Sequence, residues 1–180
     1  MASSREECFY ELMNRYESKL LRYILRLAKI NRETAEDILQ ESFIKAYRYI
    51  NNFDSGLKFS SWIYRIAHNE TISYWRKNQK NVEFVSIDKD SNGFANTLAD
   101  DKRTDADALH NEKQEAMNKV ISNLPEKYRE VLILRYLEEK DYDEISDILR
   151  KPIGTVSALI HRAKEKLKKE GKKYELEEYL

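Results

Sequence analysis

One cysteine, Cys8, stands among 180 residues, so an internal disulfide is excluded. The three histidines, His68, His110 and His161, are scattered, and no zinc-ligand spacing exists. Four glycines and two prolines leave too little turn chemistry for an all-β chain. The longest purely apolar run is Val131 to Leu134, far short of the roughly 20 residues that cross a bilayer. The opening "MASSREECFYEL" has no signal-peptide core. A soluble cytoplasmic protein with no direct membrane insertion is the expectation. Neither sign of charge is in excess, with Lys plus Arg at 32 and Asp plus Glu at 32, so any attraction to polyanions must come from local patches.

Leu, Glu, Lys, Arg and Ala dominate, which predicts an all-α protein. Phe9, Leu12, Tyr16, Leu20, Tyr23, Ile24 and Leu27 form one helical stripe that ends at Asn31. Thr34 and Asp37 read as a capping box for a second helix, with Ile38, Leu39, Ser42, Phe43, Ala46 and Ile50 inward. "NNFDSGLK" is a loop, and "FSSWIYRIAHNETISYWRK" a third helix. Residues 81–107 lose this periodicity and carry 7 acidic against 3 basic side chains, as expected of a flexible linker; within it "VEFVSI" could lie extended against a partner.

A second block, 108–180, opens with Leu109, Met117, Val120 and Ile121. Leu124-Pro125 starts the helix "PEKYREVLILRYLEE", with proline in its first turn. "YDEISDIL", the turn "RKPIG" and a helix opened by Thr155 then read as a helix-turn-helix, a pattern that non-binding helical hairpins share. The predicted architecture is two small helical domains, 1–80 and 108–180, joined by the linker.

Asp37, Gln40 and Glu41 share one face of the second helix: a solvated face or a docking surface, which spacing does not separate. Phe59, Trp62, Tyr64, Tyr74 and Trp75 interleave with Lys58, Arg65, Arg76, Lys77 and Lys80, a mixture suited to stacking unpaired bases while cations hold the backbone. Trp62 and Tyr64 fit packing or contact equally well, and Arg76 to Lys80 are placed for phosphate. In the last helix Val156, Ile160, Ala163 and Leu167 form the buried stripe. Ser157, Ala158, His161, Arg162, Lys164 and Lys168 then face outward or to the flanks, with Leu159 at the edge. No nucleophile motif, Gly-rich phosphate loop or metal set is present, so an enzyme, a cofactor and a small-molecule substrate are not expected.

Four ordered stretches, "AEDILQESFIKAYRYINNF", "FSSWIYRIAHN", "LPEKYREVLILRYLEEKDYDEISDIL" and "KPIGTVSALIHRAKEKL", resemble the extracytoplasmic-function (ECF) group of bacterial sigma-70-type sigma factors. The resemblance covers nearly the whole chain outside the linker and the last ten residues. It implies sigma region two and sigma region four, joined by a linker that threads through RNA polymerase, and bacterial core RNA polymerase and promoter DNA as partners. An anti-sigma factor is implied by the same likeness. Asp37, Gln40 and Glu41 would dock on the clamp helices of the largest polymerase subunit. Phe53 and Asn69 would hold a base flipped from the minus-ten element, with Lys58, Ser60, Ser61, Trp62 and Arg65 lining the same strand-binding surface. The second block would bind the flap of the other large subunit and place Thr155 to Arg162 in the minus-35 major groove.

The chain departs from the family pattern at Ser73 and Trp75, and at Ser157 and Leu159 where Lys or Arg is usual. Two missing cations imply weaker unaided DNA binding and a shallower salt dependence. An ordinary helix-turn-helix regulator and a purely interacting helical module are the alternatives. The first would bind duplex DNA unaided; the second would tolerate loss of Asn69 and Arg162.

Overall fold

The computed structural model describes residues 2–78 and 120–171, and the side chains of these except 2–6, 8, 170 and 171. The predicted linker, Lys80, Leu109, Met117 and the tail 174–180 lie outside the described residues. Within them the order is α1 (Ala2–Ala28), α2 (Arg32–Tyr49), a 3-10 turn (Ile50–Asn52), α3 (Phe59–Asn78), helical residues 120–122, α4 (Glu126–Leu132), a wide π turn (Ile133–Leu137), α5 (Tyr142–Leu149) and α6 (Ile153–Gly171). No strand occurs among the described residues, and none of the described helices is long and apolar enough to cross a membrane.

Helices α1, α2 and α3 pack on one another through the stripes that periodicity marks. Leu20, Tyr23, Ile24 and Leu27 of α1 are buried against Ile38, Leu39, Phe43 and Ala46 of α2 and Ile63 and Ala67 of α3. The hydroxyls of Ser42 and Thr71 are buried too, each donating to the carbonyl one turn back, Ile38 and Ala67. The α1–α2 junction corrects the expected helix start. Lys29 takes a left-handed φ of 53°, and Asn31 is the N-cap, its side chain accepting from the Thr34 N–H at 2.9 Å. Asn31 outcompetes Thr34 because it already has extended backbone, with its side-chain oxygen free to meet the first-turn N–H groups.

The second block shows two further corrections. The helix expected over 125–139 is regular only to Leu132; Ile133–Leu137 widen into a π turn, closed by Glu139 at φ 53°. At the helix-turn-helix corner the left-handed residue is Arg150, with φ 51°. Gly154 lies inside the first turn of α6 without a positive φ, and α6 begins at Ile153 rather than Thr155. A Cβ on Gly154 would meet nothing within 4 Å, so neither backbone nor space at the corner requires glycine there. Helix α5 opens on a complete capping box: Asp141 accepts the Glu144 N–H, and Glu144 accepts the Asp141 N–H.

The two blocks pack together, α5 lying along α3, and their apolar residues form a single core cluster. At the junction Glu138 accepts the Tyr64 hydroxyl at 2.7 Å and the Arg26 guanidinium at 3.0 Å. Burial pushes the Glu138 carboxyl up, with Tyr64 and Arg26 opposing; burial likewise lowers Arg26, with Glu138 opposing. Both charged forms are therefore less comfortable here than in water, so the pair orients the junction more than it stabilises it. Removing one partner alone is still costly. Glu138→Ala should destabilise the chain by about 3 kcal/mol, read as a lowered urea midpoint.

His68, 8% exposed, shares a hydrogen bond of 2.9 Å with the Tyr23 hydroxyl. Burial, with Lys151 and Arg76 nearby, pushes its imidazole down to about 4. An unfolded histidine titrates near 6.5, so between these values only the unfolded chain takes up the proton. The stability present above about pH 6.5 is lost as pH falls toward 4. From about pH 7 to about pH 5 the wild type should lose about 2 kcal/mol more than His68→Gln, measured by urea denaturation at both pH values.

Candidate nucleic-acid and docking interfaces

Helix α2 turns Asp37, Gln40 and Glu41 outward, all exposed, because its inner stripe occupies the opposite side. One turn on, the same face continues into Ile44 and Tyr47, 40% and 42% exposed, and the Tyr47 ring meets Phe9 edge-on at 5.1 Å. A carboxylate and amide group beside exposed apolar side chains suits protein docking. Ile44 and Tyr47 have no role in the sequence expectations, although large apolar residues off the inner stripe of α2 were a visible signal.

The residues expected to bind a DNA strand fall into three sets. Phe53, at the end of the 3-10 turn, packs against Phe59 and Trp62 with ring centroids 5.5 and 5.3 Å apart, and Phe59 and Trp62 are 5.4 Å apart. Trp62 is 7% exposed and Ser61 2%, so both lie in the interior. Asn69 is exposed and falls two turns after Trp62 on the same side of α3. In this structure Trp62 backs Phe53, while Phe53 and Asn69 remain toward the outside.

Lys58, Ser60 and Arg65 form the second set, toward α5. Lys58 Nζ is 2.8 Å from Asp141 Oδ2, and Ser60 Oγ donates to Glu144 Oε1 at 2.9 Å. Hydrogen bonding to Asp141 raises the Lys58 ammonium and reciprocally lowers the Asp141 carboxyl. Burial lowers Arg65, with Arg150 adding repulsion and Asp147 opposing. The third set, Arg76 and Lys77, is exposed in the last turn of α3, where the helix dipole favours cations.

In α6, Val156, Ile160, Ala163 and Leu167 are buried. Thr155, Ser157, Ala158, His161 and Arg162 are exposed, and Leu159 is half-buried. Glu165 Oε1 lies 3.8 Å from His161 Nε2. Lys164 is half-buried with its ammonium 5.6 Å from the Tyr136 ring centre, so part of its reach is spent on the ring. The front of this helix offers small groups, one imidazole and one guanidinium. No cluster of His, Cys, Asp and Glu fit for a metal occurs among the described residues.

Two family models match the chain: sigma-70 region 2 over residues 12–81 and sigma-70 region 4 over residues 114–167. The chain is 35% identical over 168 residues to the ECF RNA polymerase sigma factor SigW of Bacillus subtilis, covering 92% of this chain and 89% of that one. It belongs to the ECF sigma factors. It is also 32% identical to the ECF RNA polymerase sigma-E factor of Haemophilus influenzae, covering 89% and 85%. Among solved structures, the sigma factor RpoE in complex with the anti-sigma factor NepR from Bartonella quintana shares the fold, with a TM-score of 0.69 at 22% identity over 92% of this chain and 98% of that one. CnrH, solved with the cytosolic domain of CnrY, does so with a TM-score of 0.64 at 21% identity over 93% and 89%.

As an ECF sigma factor the protein directs transcription initiation by RNA polymerase, and it is not an enzyme. The interior position of Trp62 bears on how substitutions in this sigma factor are read. Trp62→Ala should cost about 3–5 kcal/mol of stability, seen as a lowered thermal midpoint by circular dichroism, before any effect on DNA.

Proposed function

We propose that this sigma factor divides its work between the two blocks, the first docking on core polymerase and capturing the minus-ten strand, the second reading the minus-35 element. What supports this reading is that the Asp37, Gln40 and Glu41 face of α2 is exposed, while Phe53 packs on Trp62 and Asn69 stands exposed two turns further along α3. Docking and strand capture then use different elements. A flipped base needs a pocket that stacks and hydrogen-bonds it. Phe53 supplies the ring, held by Phe59 and Trp62; Asn69 supplies the amide. Lys58, Ser60 and Arg65 complete the strand surface, and Arg76 and Lys77 hold phosphate.

In the second block Arg162 and His161 offer donors to base edges, Ser157 and Ala158 allow close approach, and Leu159 meets a thymine methyl. Thr155 and Lys164 contact the backbone. With so few cations at the front of α6, unaided minus-35 binding is weak. Polymerase supplies the difference by tethering both blocks at once, which raises effective concentration without new contacts. The protein works in the cytoplasm, where polymerase and promoter are. Its likeness in fold to RpoE, solved with the anti-sigma factor NepR, supports an anti-sigma factor as a third partner.

Run-off transcription with core polymerase, with and without the chain, tests this reading: specific initiation should require the chain. Asn69→Ala should reduce open-complex formation more than core binding. Asp37→Ala with Glu41→Ala should do the reverse. A core-dependent gel shift that is unchanged by the α2 pair would overturn the docking assignment.

A further inference from the structure

Gly56 and Gly154 hold their places for different reasons. A Cβ on Gly56 would come to 3.2 Å of Asp54 Oδ1, the atom that accepts the Gly56 N–H at 2.9 Å, so a neighbour in the loop calls for glycine. Gly154 has no such neighbour: a Cβ there would meet nothing within 4 Å among the described residues, and its φ is not positive. It lies in the first turn of α6, and glycine stabilises a helix less than any residue but proline. The chain gives up helix stability at Gly154, and nothing in its own fold uses the space.

Helical geometry fixes the direction in which that space opens. Gly154, Ser157, Ala158 and His161 stand at i, i+3, i+4 and i+7 on one face of α6, opposite the buried Val156, Ala163 and Leu167. All four are exposed. Ile153, four residues before Ser157 at the edge of that face, is 47% exposed, more than any other large apolar side chain described in the second block. A bare stretch of helix backbone flanked by an outward isoleucine fits a close neighbour better than it fits solvent. Ser157 and Ala158 carry nothing beyond a hydroxyl or a methyl group, so their contact with base edges needs the helix backbone itself nearby. We propose that Gly154 sets how deeply α6 enters the minus-35 major groove: with no Cβ at that point, the backbone comes against the DNA and the short side chains that follow reach the bases. This rests on the reading of α6 as the minus-35 helix.

The test uses holoenzyme reconstituted from core polymerase and the full chain, with a promoter that this holoenzyme enriches from a duplex pool randomised across the promoter length. Gly154→Ala and Gly154→Met add a methyl group and a long flexible side chain, and both favour helix over glycine. Each should raise the thermal midpoint of the free chain and leave binding to core polymerase unchanged. Gly154→Ala should nevertheless lower run-off initiation about tenfold, and Gly154→Met should lower it further. On the same promoter with its minus-35 segment scrambled, wild type and variants should initiate at one common, lower rate; a loss specific to the variants that persists there overturns the proposal. A midpoint that falls with either variant assigns the glycine to folding and overturns it as well. Unchanged initiation by both variants, where Arg162→Ala reduces it, leaves the minus-35 reading standing and overturns the role of Gly154. If Arg162→Ala also changes nothing, that reading fails and the inference fails with it.

Discussion

The arrangement of the two blocks turns on one carboxylate taken out of water. Glu138 sits at the end of the π turn with its side chain 4% exposed, and it accepts from Tyr64 of α3 and Arg26 of α1 at once. Such a group tolerates few positions, because each lost partner leaves a buried charge to be desolvated without compensation. It therefore acts as a register pin. With Glu138 seated between α1 and α3, the residues that follow must run along α3, and the cap of α5 falls beside Lys58 and Ser60. The π turn contributes to this placement: a wider turn rotates the end of the α4 segment relative to a regular helix, and Glu138 follows it directly.

Around that pin the surfaces proposed for recognition are sparing in charge. Aromatic packing carries the side proposed for the strand, where Phe53, Phe59 and Trp62 hold one another at ring separations near 5.4 Å and need no cation to be preorganised. Helix α6 presents mainly small side chains at its front, and one of its lysines, Lys164, lies on Tyr136. A protein with equal numbers of acidic and basic residues gains little from long-range attraction to DNA. An ECF sigma factor can accept this, because polymerase brings it to the promoter.

Stripes of apolar residues were legible directly. Leu20, Tyr23, Ile24 and Leu27, then Ile38, Leu39, Phe43 and Ala46, then Val156, Ile160, Ala163 and Leu167 repeat at helical spacing, and all are buried. The family was legible too, because four ordered motifs carry more information than any single pattern. Helix ends were read less well. Thr34 had the spacing of a cap, but Asn31 makes the bond. Gly154 was the obvious corner residue, but Arg150 takes the left-handed backbone. In both cases two nearby residues could play the same local part, and the choice depends on how the chain enters and leaves the neighbouring helix. The residue types proposed for strand binding can be named from the sequence; that Trp62 and Ser61 turn inward cannot, since three-helix packing decides which side of α3 is covered.

By itself the sequence determined the helices, their buried faces, the order of the two regions and the family, because these depend on periodicity and on neighbours a few positions apart. The tertiary structure decided what the outer faces meet. Ser60 and Glu144 are 84 positions apart, and Arg26 and Glu138 are 112 apart. Nothing in the local pattern of either partner announces the other: Asp141 and Glu144 stand at the spacing of a capping box, and Lys58 and Ser60 at the start of α3. Only when the two cores fuse do the spare oxygens of the cap come to rest on the Lys58 ammonium and the Ser60 hydroxyl. Their meeting is a property of packing, where geometry over long separations replaces spacing along the chain.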